Sequence, residues 1–220
     1  MNSASTLGSG NKDWGNRKKR KSRQESIFDK YREIMGHNSL PPDKQYWTLC
    51  GKHTSPYCEL PHALADGIIT PNQFHGVDRV KDIITHNRKI YPEANWYEGE
   101  FDRVIDQVDG FTPGLVNLDT VHMTEKASIL AAQVLFVLVS LGASDCLLAV
   151  NHLLNNPREH NDRCQPPDYF TDRMNNISAF QNVMSMAFRD GWRDYHMEYV
   201  YGGADDHSNS IMHTVYFYKA

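Results

Sequence analysis

The stretch QFHGVDRVKDIITHNRKIYPEANWYEGEFDRVIDQVDGFTPGLVNLD, Gln73 to Asp119, decides the fold. Three short apolar runs punctuate it: Phe74 to Val77, Ala94 to Tyr97 and Gly114 to Leu118. Each runs into acid, first Asp78, then Glu98 with Glu100, then Asp119. Between them, Val80 to Lys89 and Phe101 to Val108 carry apolar residues at helical spacing. These are Val80, Ile83 and Ile84, with Ile90 less cleanly placed, and then Phe101, Val104, Ile105 and Val108. Strand, helix, strand, helix, strand predicts a parallel sheet, because a crossover helix returns the chain to the same edge. The acids then sit at three successive strand ends, on the edge where open α/β sheets bind ligands.

Upstream, Tyr46 to Cys50 (YWTLC) reads as the first core strand. It leads into Gly51 and a polar loop that places Lys52, His53, Thr54 and Ser55 above the strand's end. Leu60 to Gly67 reads as a short helix. Glu25 to Met35 carries Ile27, Phe28, Tyr31, Ile34 and Met35 at helical spacing, with Gly36 as its stop, and Pro41-Pro42 breaks the chain. Downstream, Lys126 to Leu141 predicts a buried helix, and Ser144 to Val150 a fifth strand apolar enough to be covered on both faces. Asn155 to Pro167 reads as a loop. Asp172 to Arg189 reads as a helix with Met174, Ile177, Phe180, Val183, Met184 and Ala187 inward. Tyr195 to Tyr201 and Ile211 to Tyr218, joined by GGADDHSNS, leave no room for a helix and form an antiparallel pair. The expected architecture is a three-layer Rossmann-like α/β sandwich, its mainly parallel sheet ending in an antiparallel hairpin. One domain spans 25–220 behind a disordered tail, 1–24.

Composition narrows the function classes. No apolar run approaches the ~18 uncharged residues of a membrane span. The polar N-terminus lacks an apolar signal region, so the expected location is cytoplasmic, or nuclear in a eukaryotic host. Four cysteines form no C-x-x-C pair. Cys50 and Cys146 lie in apolar runs and read as free buried thiols, while Cys58 and Cys164 lack the spacing of metal ligands. The net charge of −4 is unevenly spread. Residues 1–24 hold seven basic side chains against Asp13 alone, a net +6, which leaves 16 basic and 26 acidic elsewhere, a net −10. The run Arg17, Lys18, Lys19, Arg20 and Lys21 admits three readings: a solvated tail, an arm contacting nucleic acid, or a nuclear localisation signal.

A carboxylate closing the second strand is placed to accept both hydroxyls of a ribose, and Asp78 fills that position. Its plain alternative is to complement the dipole of the helix that follows. Glu98 or Glu100 is placed to accept from an exocyclic amine, and Asp119 faces the same crevice. The Val77-Asp78 pair, the EGEF of Glu98 to Phe101, and the NLD of Asn117 to Asp119 resemble class I S-adenosylmethionine-dependent methyltransferases. The terminal hairpin matches that family's last two strands, and the resemblance covers Lys44 to Ala220. It implies S-adenosylmethionine as cofactor, with Asp78 on its ribose and Glu100 near its adenine. Asn117 and Asp119 would border the methionine end and the acceptor. Gly51 and Ser55 of the first loop, with Arg79 and Gly99, complete the implied cofactor-binding set, and Asp119 and His122 the catalytic pair. A base is needed only where the acceptor loses a proton; His122 and His53 are candidates, and both otherwise read as surface histidines.

The sequence departs from that family in its first loop. A Gly-x-Gly turn is missing, and 27 positions separate Gly51 from Asp78, against about 20 in the usual glycine-loop arrangement. The Asn/Asp-Pro-Pro-aromatic motif of amino-methylating DNA enzymes is also missing. The acceptor therefore stays open, and two other readings stand beside the enzyme. One is a non-catalytic methyltransferase-like binding or scaffold module. The other is a NAD-type oxidoreductase, against which the missing glycine fingerprint and the terminal hairpin both argue.

Overall fold

A computed structural model describes residues 27–53, 58–153, 178–201 and 210–220, with backbone alone for 120–128, 152–153, 178–181, 196–201 and 210–213. In chain order the elements are helix α1 (27–35), β1 (Gln45–Leu49), α2 (Glu59–Ala65), β2 (Phe74–Asp78), α3 (Lys81–Ile90), β3 (Asn95–Glu98), α4 (Phe101–Gln107), β4 (Pro113–Met123), α5 (Thr124–Ser140), β5 (Cys146–Leu153), α6 (Ser178–Arg189), β6 (Arg193–Tyr201) and β7 (Ser210–Lys219).

The strands form one sheet in the order β3-β2-β1-β4-β5-β7-β6. β3, β2, β1, β4 and β5 run parallel to one another, and β7 lies antiparallel to both β5 and β6. Successive strand residues point to opposite faces, so the strands feed two cores. One face carries Trp47, Val77, Val116, Leu118, Leu148, Val150, Val215 and Phe217, against Phe101, Val104 and Ile105 of α4, Val134 and Leu138 of α5 and Ala187 of α6. The other carries Tyr46, Phe74, Trp96, Leu115, Leu147, Ala149 and Tyr216. It packs on Ile27, Phe28 and Tyr31 of α1, Leu60 and Ala63 of α2 and Ile84 of α3. This is a three-layer Rossmann-like sandwich with a mainly parallel sheet and an antiparallel edge.

Three expectations change. β4 does not stop at Leu118 but continues to Met123, held by pairing of Asp119 with Asn151 and of Met123 with Leu153. The helix at 124–140 is not buried all round: Ala131, Val134, Leu135 and Leu138 face the core, while Ile129 and Phe136 are about half exposed. Ile90 closes α3 in solvent rather than on its apolar stripe. The tail 1–24, the loop 155–167 and Met174 and Ile177, expected inward, lie outside the described residues. Among those that are described, no helix is long and apolar enough to cross a membrane.

The topology sets a switch point in the sheet. From β1 the chain moves outward to β2 and β3, then returns to lay β4 on β1's other side. The crossovers on either side of that point run over opposite faces, and open α/β sheets bind ligands at the carboxyl ends of strands at such a switch point.

Candidate functional site

Along this carboxyl edge the register sets the residues in a row. Glu98 of β3 pairs with Asp78 of β2. The Cys50 N–H donates to the Val77 carbonyl at 2.9 Å, so the chain leaving β1 runs on beside β2's end. Asp119 of β4 pairs with Asn151 of β5 on the far side. Asp78 is half-buried, and its Oδ1 accepts the Val80 N–H at 2.8 Å, which turns the chain from β2 into α3. Burial pushes its carboxyl above the usual carboxylate range, against the pull of the Val80 and Arg79 N–H groups and the Arg79 charge. Glu100 is the N-cap residue of α4, in solvent, with Oε1 3.5 Å from Nη1 of Arg79. An exposed pair of this kind contributes about 0–1 kcal/mol. Gly99 between them has φ +152°, and a Cβ there would sit 3.0 Å from Cγ2 of Val104, so the backbone itself requires glycine.

The loop after β1 is clamped from α3. Asn87, fully buried, donates from Nδ2 to the Gly51 carbonyl at 2.9 Å and accepts the His53 N–H on Oδ1 at 2.8 Å. Its Nδ2 also lies 3.9 Å from the Cys50 sulfur. His53 is thereby drawn inward among Phe74, Tyr91 and Trp96, with ring centroids 5.9, 6.1 and 5.1 Å away. It is 2% exposed, which corrects its reading as a surface histidine.

Beneath the edge lies a polar row inside the apolar core. Glu59 opens α2, is 2% exposed, and accepts from Tyr46 Oη, from Thr48 Oγ1 at 2.8 Å and from Asn117 Nδ2 at 2.6 Å. Asn117 Oδ1 accepts from Asn151 Nδ2 at 3.0 Å, and Asn151 Oδ1 accepts from Thr214 Oγ1 at 2.6 Å. Burial drives the Glu59 carboxyl up, the Asp119 charge adds to that, and the Tyr46, Asn117 and Thr48 donors hold it down. Three donors on a buried carboxylate are what keep its charge tolerable inside the protein.

By sequence the chain matches no family model and no curated protein. Solved structures are more informative. The methyltransferase domain of the bacterial CtHen1-CN superposes with a TM-score of 0.55 at 11% identity, covering 92% of this chain and 100% of that one. The plantazolicin methyltransferase BamL, in complex with a triazolic desmethylPZN analog and SAH, gives 0.52 at 11% identity, covering 93% and 86%. The chain has a class I methyltransferase fold. Identities this low speak to the fold, and the chemistry has to be argued from the residues.

Within the methyltransferase fold the expected residues separate into groups. Asp78, Arg79, Gly99 and Glu100 come together at the ends of β2 and β3, with Gly51 beside them at the end of β1. Asp119 reaches the same edge from inside β4 rather than from a loop after it, because β4 is longer than its apolar core. Asn117 is 3% exposed, its amide bonded to Glu59 and Asn151. His122 lies on β4's extension, with its side chain outside the described residues; Ser55, Thr54 and the basic run from Arg17 to Lys21 are outside them as well. Sequence reasoning passed over Glu59 and Asn87. A signal for Glu59 existed: Thr48, Asn117, Asn151 and Thr214 interrupt apolar strands on one shared face.

Proposed function

We propose that this protein binds S-adenosylmethionine across the carboxyl edge of β1, β2 and β4 and transfers its methyl group to an acceptor. One observation carries the reading: in the 3-2-1-4-5-7-6 sheet, the acid closing β2 stands beside the end of β1, next to the switch point between β1 and β4. The donor set fits the group. Carboxylates accept ribose hydroxyls, and an edge bearing Asp78 and Asp119 suits a ligand with a positively charged sulfur. When bound, the cofactor supplies an activated methyl on that sulfur. The chain's own residues bind and align: Asp78 accepts from the ribose, Glu100 lies toward the base, and Asp119 borders the reacting end. Alignment supplies most of the help such a transfer needs. His122 removes a proton only from an acceptor that must lose one.

Calorimetry with S-adenosylmethionine tests this directly. Asp78→Ala is expected to weaken binding at least tenfold while leaving cooperative unfolding intact; unchanged affinity would remove Asp78 from the site. One observation favours a second reading, a non-catalytic binding module: the loop after β1 offers only Gly51 and is fixed on α3 by Asn87. Binding at micromolar concentration without methyl transfer to any acceptor tried would favour that module. For the acceptor, the basic run Arg17 to Lys21 supports a nucleic acid, held by phosphate contacts. Removing residues 1–24 would then flatten the salt dependence of nucleic-acid binding, and an unchanged slope would rule the tail out.

A further inference from the structure

We infer that Glu59 is a positioning residue of this site, acting by the reach of its two carboxylate oxygens. The inference rests on the proposed S-adenosylmethionine site. An ionised carboxylate only accepts hydrogen bonds, so every neighbour must turn a donor toward it. Tyr46 and Thr48 do so from β1, and Asn117 does so from β4. Once the Asn117 NH2 group faces Glu59, its carbonyl oxygen must face β5, where Asn151 donates to it. The Asn151 oxygen is then left to accept from Thr214 of β7. One carboxylate thus sets the direction of a chain of side chains across β1, β4, β5 and β7. That chain runs just under the carboxyl edge, two residues before Asp119 on β4. Glu59 also joins the two strands on either side of the switch point, since Tyr46 and Thr48 lie on β1 and Asn117 on β4.

Two near-isosteric changes separate reach from charge. Glu59→Gln keeps the length and loses the charge. Its oxygen can still receive Tyr46 and Asn117, while its NH2 group meets Thr48, whose hydroxyl can turn to the Leu49 carbonyl already 3.2 Å away. Glu59→Asp keeps the charge and withdraws it by one methylene, out of reach of partners on two strands. Calorimetry of the full chain with S-adenosylmethionine is expected to give an affinity for E59Q within threefold of the unsubstituted protein. For E59D the expected loss is tenfold or more. In parallel, the side-chain NH2 resonances of Asn117 and Asn151 should stay in place in E59Q and shift or broaden in E59D. E59D binding as tightly as the unsubstituted protein, or E59Q binding as weakly as E59D, overturns the inference. No binding by the unsubstituted protein overturns the proposed function, and the positioning role with it. That result is distinct, because it is read before either substitution is compared.

Discussion

Truncation of Asn87 to alanine is the sharpest structural test of the edge. The carboxamide completes two short hydrogen bonds, to the Gly51 carbonyl at 2.9 Å and from the His53 N–H at 2.8 Å. Removing it leaves the His53 N–H buried without its acceptor, while the Gly51 carbonyl is partly reached by water. A stranded buried group costs about 1–3 kcal/mol and a half-solvated one less, so the expected loss is roughly 2–4 kcal/mol. That is a large share of the ~5–15 kcal/mol by which domains are ordinarily stable. Urea unfolding would show it as a lower midpoint with an unchanged slope. Asn87→Asp refines the test. It keeps the acceptor for His53 but sets a carboxyl oxygen against the Gly51 carbonyl, and burial raises the folded-state pKa of the new acid above its unfolded value. Its native state then holds the proton more tightly. The variant should be most stable below the unfolded pKa and lose stability as pH rises toward the folded one. A loss under about 1 kcal/mol for Asn87→Ala, with no faster hydrogen exchange at His53, would refute the claim that α3 holds this loop.

Other outcomes follow from the packing of the same sheet. Burial lowers the His75 pKa to about 4, from about 6.5 when unfolded, so the native state resists protonation. Its contribution, up to roughly 3 kcal/mol, is complete above pH 6.5 and is lost as pH falls toward 4; His75→Gln should flatten unfolding curves in that window. Gly76→Ala places a Cβ 2.7 Å from the Trp96 ring and 3.0 Å from that of Phe74, so it should cost about 1–3 kcal/mol in chemical denaturation. Cys50, Cys58 and Cys146 are buried free thiols, and burial drives Cys146 up to about 12. In a Cys164→Ser background, a thiol reagent should label none of the three until the protein is denatured.

The sheet was legible because its signals are local. In FHGVD the apolar run and its closing acid fall within five residues, and the helix after it shows its own period. What escaped notice depends on partners distant in sequence. Residues 120–123 are not an apolar run, and β4 continues through them because β5 is there to pair, as Met123 with Leu153 shows. The fate of His53 is set by rings from three separate segments, none adjacent to it in the chain. Glu59 resembles any acid in a helix's first turn until β1 and β4 bring their donors to it. The edge acids Asp78 and Asp119 could be placed from spacing alone, whereas the buried row beneath them shows only when the polar interruptions at Thr48, Asn117, Asn151 and Thr214 are set on one face of paired strands.

The position of β7 bears on biosynthesis. Among the described residues it comes after every other strand, yet it is inserted between β5 and β6 rather than added outside them. A chain that stops before Ser210 therefore leaves one flank of β5 unpaired and β6 without its partner, both open to any other extended peptide. Stalled or prematurely terminated copies should partition to chaperones or inclusion bodies rather than survive as smaller folded species.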